Sequence, residues 1–336
     1  MLRGVFQRLL TRRSNPDQRF RVAVFNDTRP TRHVGCSLVM RELIANLRAE
    51  GLDPVFYHPV REDWREVAQN IPRKGAIDAI VVNGEGSIHN PATRPRAQFL
   101  SELGPFARDV LDVPSFLVNA TIFALDATSA DNLRAFDQIF VRESSSQKEL
   151  SGYDIPSVVV PDLTVQAEVP LASQRAGIAA TDSVIAESRT IIKTLCKEHG
   201  YAYRSMVSIP KDISKDAAAY QHAADYARWL SSHELVLTGR FHTVTLCIAT
   251  GTPFITVESN TPKISSFVSD VLGSTRRLVA PEKLHALDLQ EFYPWRPEEL
   301  VAVRNAVANA RSASRRMFDT LRNVVSSRSQ AVEFSP

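Results

Sequence analysis

The sequence predicts an α/β protein of two doubly wound domains whose ligand-binding edges face each other. Three observations carry this expectation. The 336 residues suffice for two domains at roughly 100–200 residues each. The apolar runs are short and unalternated, as parallel strands buried on both faces require. Those runs also alternate with segments of helical periodicity along most of the chain.

The first 20 residues stand apart. Leu2, Val5, Phe6, Leu9 and Leu10 lie at helical spacing among Arg3, Arg8, Arg12 and Arg13, with no acid before Asp17. Residues 1–13 therefore suit peripheral contact with an anionic membrane surface, the plainer alternatives being a frayed basic terminus or a helix packed on its own domain. No run approaches the roughly 18 apolar residues of a membrane span, and none has the layout of a secretion signal.

The first domain is expected over residues 21–165. RVAVF (Arg21 to Phe25) reads as a strand, Ser37 to Glu50 as a helix ended by Gly51, and PVFY (Pro54 to Tyr57) as the next strand. A polar helix near Asp63 to Asn70 follows, then strands at AIVV (Ala79 to Val82), Ser115 to Val118, Ile139 to Val141 and Val158 to Val160. Pro161 to Ala176 has no period and reads as the connection between domains. The second domain, residues 176–296, begins with a strand near Ile178 and a helix from about Ser183 to Glu198. It continues with a strand near Ser205 to Ile209, a helix from Asp216 to Leu230, the strand Glu234 to Leu237, a helix after His242, and the strand Pro253 to Val257. Residues 297–328 read as a long final helix, with Pro297 at a favourable first position and Glu298 and Glu299 in its first turn.

Composition narrows the function. Hydrophobic residues at 44% and charged residues at 23% exclude a disordered or fibrous chain. With 40 basic against 37 acidic residues the net charge is only +3, so nothing global points to nucleic acid. Cys36, Cys196 and Cys247 are odd in number and widely spaced, which argues against a disulfide framework and a structural zinc site and suits a reducing, cytoplasmic setting.

Ligands of open parallel sheets bind beyond the carboxyl ends of the strands, and three such ends carry chemistry. After AIVV comes Asn83-Gly84-Glu85-Gly86-Ser87-Ile88-His89, where Gly84 and Gly86 are expected to turn the backbone and Ser87 to help donate to an anion. As a phosphate signal it is weak, lacking the P-loop lysine and the third glycine of a dinucleotide fingerprint. After Leu237 comes Thr238-Gly239-Arg240-Phe241-His242-Thr243 at the entry of an apolar helix. Arg240 and His242, two residues apart on that turn, put a bidentate anion clamp beside a titratable proton donor, and the helix N-terminus favours an anion too. The plainer alternatives are an interdomain salt bridge for Arg240 and a helix cap for His242. Third, Lys263 opens a helix after the strand FITV and supplies another cation, as does Arg142 at the end of IFVRE, unless it merely pairs with Glu143. Asn26 and Asp27 close the first strand, and His33 precedes the first helix, where a second ligand has room. Phe123, Tyr153 and Trp229 are aromatics able to line an acceptor site, although single aromatics more often serve the core.

The stretch LVLTGRFHTVTLCIATGTPFITVESNTPKISSFVSDVLG, Leu235 to Gly273, closely resembles the bacterial polysaccharide pyruvyl transferase family, with its S/T-x-R-x-H turn, G-x-P and lysine before a helix. IFVRESSSQKEL is similar to the family's V-R-E/D-x-x-S segment, VVPDLTV resembles its D-P/D-L element, and AIVVNGEGSIH looks like its G-G-G-S loop. The resemblance implies a glycosyltransferase-B-like pair of Rossmann-type domains around a cleft, with no metal and no cofactor. It implies phosphoenolpyruvate as donor substrate and a sugar hydroxyl of a surface polysaccharide, or of its lipid-linked precursor, as acceptor. Arg240 and His242 match the R-x-H pair and Arg142 the V-R-E arginine. Chemistry then makes His242 and Arg240 the catalytic pair, His242 as general acid/base or as donor to the leaving phosphate, and assigns Arg142 and Lys263, with Arg240 and with Gly84, Gly86 and Ser87, to the donor, and Asn26, Asp27 and His33 to the acceptor. Two departures are N-G-E-G-S in place of three glycines, which sets Glu85 where an anion approaches, and the opening NDTRPTRHVGCSLVM. Two other readings share this architecture: a nucleotide-sugar-dependent glycosyltransferase, and a non-catalytic glycan-binding relative.

Overall fold

The computed structural model describes residues 18–213 and 217–333, with side chains through residue 330, so the basic segment 1–13 lies outside the described residues. The first half of the chain builds β1 (Phe20–Asp27), α1 (Val34–Ala49), β2 (Leu52–Pro59), β3 (Ala79–His89), α2 (Pro95–Ser101), α3 (Leu103–Phe106), β4 (Ser115–Phe123), α4 (Ala127–Leu133), β5 (Gln138–Val141), α5 (Ser144–Ser151) and β6 (Val158–Val159). The second builds β7 (Ile178–Ser183), α6 (Ala186–His199), β8 (Ala202–Tyr203), α7 (Ala217–Ser231), β9 (Leu235–Gly239), α8 (Phe241–Thr250), β10 (Phe254–Thr256), α9 (Lys263–Leu272) and α10 (Pro297–Glu333). Two parallel sheets result, in the orders β2-β1-β3-β4-β5-β6 and β10-β9-β7-β8.

Burial on both faces explains the unalternated apolar runs. Ala23 and Phe25 of β1 point into a core shared with α2, α3 and α4, while Val22 and Val24 point the other way onto α1 and the end of α10. The second sheet repeats the arrangement: Val236 packs with α7, α8 and α9, and Leu235 and Leu237 pack with α6. Two helices cross between the layers. Val303 and Ala310 of α10 belong to the second core, whereas Phe318 and Leu321 belong to the first; Val34 and Leu38 of α1 reach into the second core. This is a Rossmann-like pair facing a cleft, the architecture expected. No helix among the described residues is long and apolar enough to cross a membrane.

Four local expectations need correction. Trp64–Asn70 is a 3-10 turn, capped by the Asp63 carboxylate on the Arg65 N–H at 3.0 Å and interrupted at Val67. β3 does not stop at Val82 but runs through the glycines to His89, and β4 likewise continues to Phe123. The Ser205 to Ile209 strand is absent. Instead Met206 O and Arg32 O accept from Val34 N (2.8 Å) and Ile209 N (3.2 Å), which ties this segment to the entry of α1 in the other half. The segment from Pro161 turns inward at once, with Leu163 and Val165 buried in a 3-10 turn.

Candidate functional site

The carboxyl ends of β3, β5, β7 and β9 and the first turns of α1, α8 and α9 converge on a cleft of about 180 Å³. His33, Glu85, Gly86, Ser87, Arg142, Arg240, His242 and Lys263 all line it. Three helix N-termini facing one space favour negative charge there. α8 is held in place by Arg240 in extended conformation at its start and by Gly251, at φ +63°, which closes its last turn.

Arg142 is fully engaged on its inner side. Its Nη1 donates to Asp162 Oδ2 at 2.8 Å and its Nε to Thr121 Oγ1 at 2.8 Å, and the guanidinium lies 4.0 Å from the centre of the Phe241 ring. Nη2 is left over and lies 3.5 Å from where a Cβ on Gly86 would stand. Lys263 Nζ lies 3.5 Å from the same point, and donates to Asn260 Oδ1 at 3.0 Å. Burial, reinforced by Arg142, pushes the Lys263 ammonium down to about 7 against Glu143 and Glu258. The missing side chain of Gly86 is thus the empty space between two cations.

His242 is buried beneath α1: a Cβ on Gly35 would overlap its Cβ and Cγ, so only glycine lets this helix approach. Its Nε2 stands 3.5 Å from Asp162 Oδ2 and has no closer polar partner. Burial opposes the Asp162 charge, but His242, Arg142 and the Thr164 hydroxyl outweigh it and hold the carboxyl far below the usual range. Asp162 therefore bridges the arginine and the imidazole. Arg240 is braced in the same manner by Asp182 at the end of β7. His33 caps α1, its Nδ1 accepting from Cys36 N at 3.4 Å, and its ring meets His242 edge-on at 5.3 Å. Burial, then His242, Arg240 and Lys263, push the His33 imidazole well below its ordinary value, so it stays neutral.

Several assignments change. Gly84 does not reach the cleft: a Cβ there would overlap Ala120, so this glycine serves the close approach of β3 and β4. The predicted glycine turn is a strand irregularity, with Glu85 at φ +38°. Asn26 and Asp27 also stay behind the cavity wall. Asn26 Nδ2 donates to Asn83 O (2.5 Å) and Ser87 Oγ (3.3 Å), and Asp27 is taken up by Arg29 at 2.7 Å. Glu85, in contrast, is in the cleft, accepting from Thr28, from Asn83 at 3.0 Å and from Cys36 Sγ at 3.0 Å. Tyr153 and Trp229 line no part of it, and neither does Phe123. Asp162, shortly after β6, and Asp182, at the carboxyl end of β7, are not among the candidates, although strand ends mark the other site residues.

His33, Cys36 and His242 offer ligand atoms within 4.8 Å of one another, the spacing of a metal site. Their surroundings oppose a cation: burial and Glu85 push the Cys36 thiol well above its ordinary value, and Arg142, Arg240 and Lys263 share the space. The arrangement suits a small polyanion beside a proton donor.

A cleft of this kind between two Rossmann-like domains defines a glycosyltransferase-B-like protein. Among solved structures, a UDP-N-acetylglucosamine 2-epimerase superposes with a TM-score of 0.50 at 14% identity, over 90% of this chain and 95% of that one. A UDP-forming α,α-trehalose-phosphate synthase from Burkholderia vietnamiensis gives 0.50 at 10% identity, over 90% and 99%. An uncharacterized protein from Klebsiella pneumoniae gives 0.51 at 12%, over 78% and 93%. These likenesses concern the fold. No curated protein matches the sequence. The polysaccharide pyruvyl transferase family model matches residues 33–261, more than half of the chain, and the protein belongs to that family.

Proposed function

We propose that the protein transfers the three-carbon unit of phosphoenolpyruvate, as a cyclic ketal, onto two hydroxyls of a saccharide destined for the cell surface. The observation that carries this reading is the space above Gly86, faced at 3.5 Å by both Arg142 Nη2 and Lys263 Nζ and placed in the same cleft as His242 and Arg240. Phosphoenolpyruvate bears its phosphate and its carboxylate on one carbon, and Arg142, Arg240 and Lys263 around one small cavity match that charge.

Protonation of the enol methylene makes the neighbouring carbon electrophilic. One acceptor hydroxyl adds there, losing its proton; the bond from that carbon to the phosphate oxygen then breaks, and the second hydroxyl closes the ketal. One of the two hydroxyl protons balances that taken up by carbon, and the other leaves on the phosphate. His242 moves these protons, with the Asp162 carboxylate 3.5 Å from its Nε2. Arg142, Arg240 and Lys263 neutralise charge as phosphate departs, an effect for which removal of one such donor costs about 10²–10³ in rate. The reaction needs no metal or cofactor. Phosphoenolpyruvate is a cytoplasmic metabolite, and three unpaired cysteines agree with that compartment.

The test is thermal denaturation with phosphoenolpyruvate and, separately, with a panel of nucleotides, on the wild type and Arg240→Ala. A ligand at about 100 times its Kd stabilises by about 2.7 kcal/mol. The expected result is a shift with phosphoenolpyruvate that the variant loses. A shift with one nucleotide and none with phosphoenolpyruvate would overturn this reading in favour of a nucleotide-sugar glycosyltransferase.

A further inference from the structure

The arginines of the cleft fall into two groups. Arg29, Arg142 and Arg240 each have a carboxylate partner, in Asp27, Asp162 and Asp182. Arg61, Arg94 and Arg96 have none: among the described residues no carboxylate oxygen lies within 4.0 Å of any of their guanidinium nitrogens. Arg96 lines the cleft, and its Nε is buried without a hydrogen-bond partner. Arg94 rests on His89, whose imidazole is pushed down to about 4 by burial, Arg94 and Lys263, and so brings no negative charge. Arg61 follows the end of β2 in a left-handed conformation, at φ +73°. Burial, with Arg61 and Arg94 adding to it, lowers the Arg96 guanidinium from its ordinary value, so both neighbours act on Arg96 as like charges.

Arg94 and Arg96 are half-buried and Arg61 is exposed beside them, and half-buried like charges without a carboxylate are costly unless a counter-charge arrives. The position of the cluster says which one. Arg96 borders the cavity, whereas Arg61 and Arg94 do not, so the group leads outward from the cleft over the first domain. A cavity of about 180 Å³ suits one small donor and leaves the acceptor to enter from outside. Three donors of charge match a polyanion better than a carboxylate.

We propose that Arg61, Arg94 and Arg96 form a second anion subsite at the mouth of the cleft, which takes the diphosphate of an activated saccharide acceptor. The word acceptor rests on the pyruvyl-transfer reading; the diphosphate subsite does not. A polar relay joins it to the donor side: Asn260 Nδ2 lies 3.4 Å from His89 Nε2, and Asn260 Oδ1 accepts from Lys263. The acceptor's charged end is thus held by the first domain while its sugar reaches the donor.

The experiment is calorimetric titration of the full chain with inorganic pyrophosphate, with and without saturating phosphoenolpyruvate, on the wild type and on Arg61→Gln/Arg96→Gln. The expected result is an increase of about tenfold or more in the pyrophosphate Kd of the variant, with a clearly smaller loss of phosphoenolpyruvate affinity, since Arg96 also borders the donor cavity. Saturating phosphoenolpyruvate should weaken pyrophosphate by a few-fold at most. Full competition between the two ligands, or an unchanged pyrophosphate Kd in the variant, would overturn the subsite. UDP and geranyl diphosphate, titrated in the same way, distinguish a nucleotide from a lipid carrier, and tighter binding of either at these arginines supports the proposal. Pyrophosphate binding that depends on Arg61 and Arg96, in a protein that binds no phosphoenolpyruvate, would sink pyruvyl transfer and leave the subsite standing.

Discussion

Lys263 gives the donor site a pH dependence whose sign and size follow from its surroundings. Moving its ammonium from the ordinary 10.5 to about 7 represents about 5 kcal/mol against the charged form. Burial is the largest cause and Arg142 the next; Glu143, Glu258 and Arg94 also face the group. An anion settling above Gly86 reverses this balance, because it adds negative charge 3.5 Å or so from the nitrogen. The bound lysine is therefore protonated over a wider range than the free one. Above pH 7 each binding event must first take up a proton, so affinity for phosphoenolpyruvate falls with rising pH, approaching tenfold per pH unit only above pH 8 and falling about 50-fold between pH 7 and 9. Calorimetry in buffers of different ionisation enthalpy should show close to one proton taken up per ligand at pH 8. Lys263→Met keeps most of the aliphatic volume and should bind weakly, with no slope in that range. The second ionisation of a phosphate monoester lies near 6, below the window, and is common to both proteins. A wild-type affinity that is flat from pH 7 to 9, with no buffer-dependent heat, would refute the reasoning.

Two further outcomes follow from the packing. Gly86→Ala places a methyl at ordinary contact distance, 3.5 Å, from Arg142 and Lys263 in a backbone conformation open to alanine. Its denaturation midpoint should equal that of the wild type while phosphoenolpyruvate affinity falls at least about tenfold, the signature of occupied space as opposed to lost structure. Away from the cleft, Arg277 is fully buried and donates to Glu299 at 2.9 and 2.8 Å and to the carbonyls of Phe254, Phe292 and Pro294. Glu299→Gln should destabilise the second domain by about 3–5 kcal/mol, because it strands a buried cation. Burial opposes the Glu299 charge but Arg277 prevails and lowers its carboxyl below 4.5. That contribution is accordingly full above about pH 4.5 and lost as pH falls through the lower folded-state value, and urea denaturation at pH 7 and pH 3.5 should show a smaller deficit of the variant at the lower pH.

Much of this was legible in the chain because parallel strands advertise themselves. VAVF, AIVV and LVL are apolar on both faces, and the residues just after them sit where ligands bind. Arg142, Arg240, His242 and Lys263 were found by that rule and do share a cleft. Asp162 obeys the same rule after Val158–Val159, yet a lone acid in VVPDL carries no sign of its two partners, which come from segments 20 and 80 residues away. The end of β1 departs from its apparent role for a related reason. Asn26 and Asp27 have the right polarity for a binding loop, but their side chains are consumed by Ser87, Asn83 and Arg29, and only the fold reveals that.

The glycines of NGEGS make the deeper point, since two identical residues two positions apart do opposite work. Gly84 faces inward, where Ala120 leaves no room for a Cβ; Gly86 faces the cleft, where the absent Cβ leaves room for a ligand. Between them Glu85, in a left-handed conformation, turns a carboxylate toward Thr28 and Cys36. A three-glycine loop would offer backbone N–H groups and no charge. Here the strand continues instead, and the negative group shares the lining of one cavity with Arg96 and Lys263. A carboxylate in an anion site repels a second phosphate that strays inward, and it accepts hydrogen bonds from hydroxyls. If the two proposals hold, Glu85 keeps apart what the two cation groups would take, the donor above Gly86 and the acceptor's charged end beyond Arg96, and favours hydroxyl groups over phosphate between them.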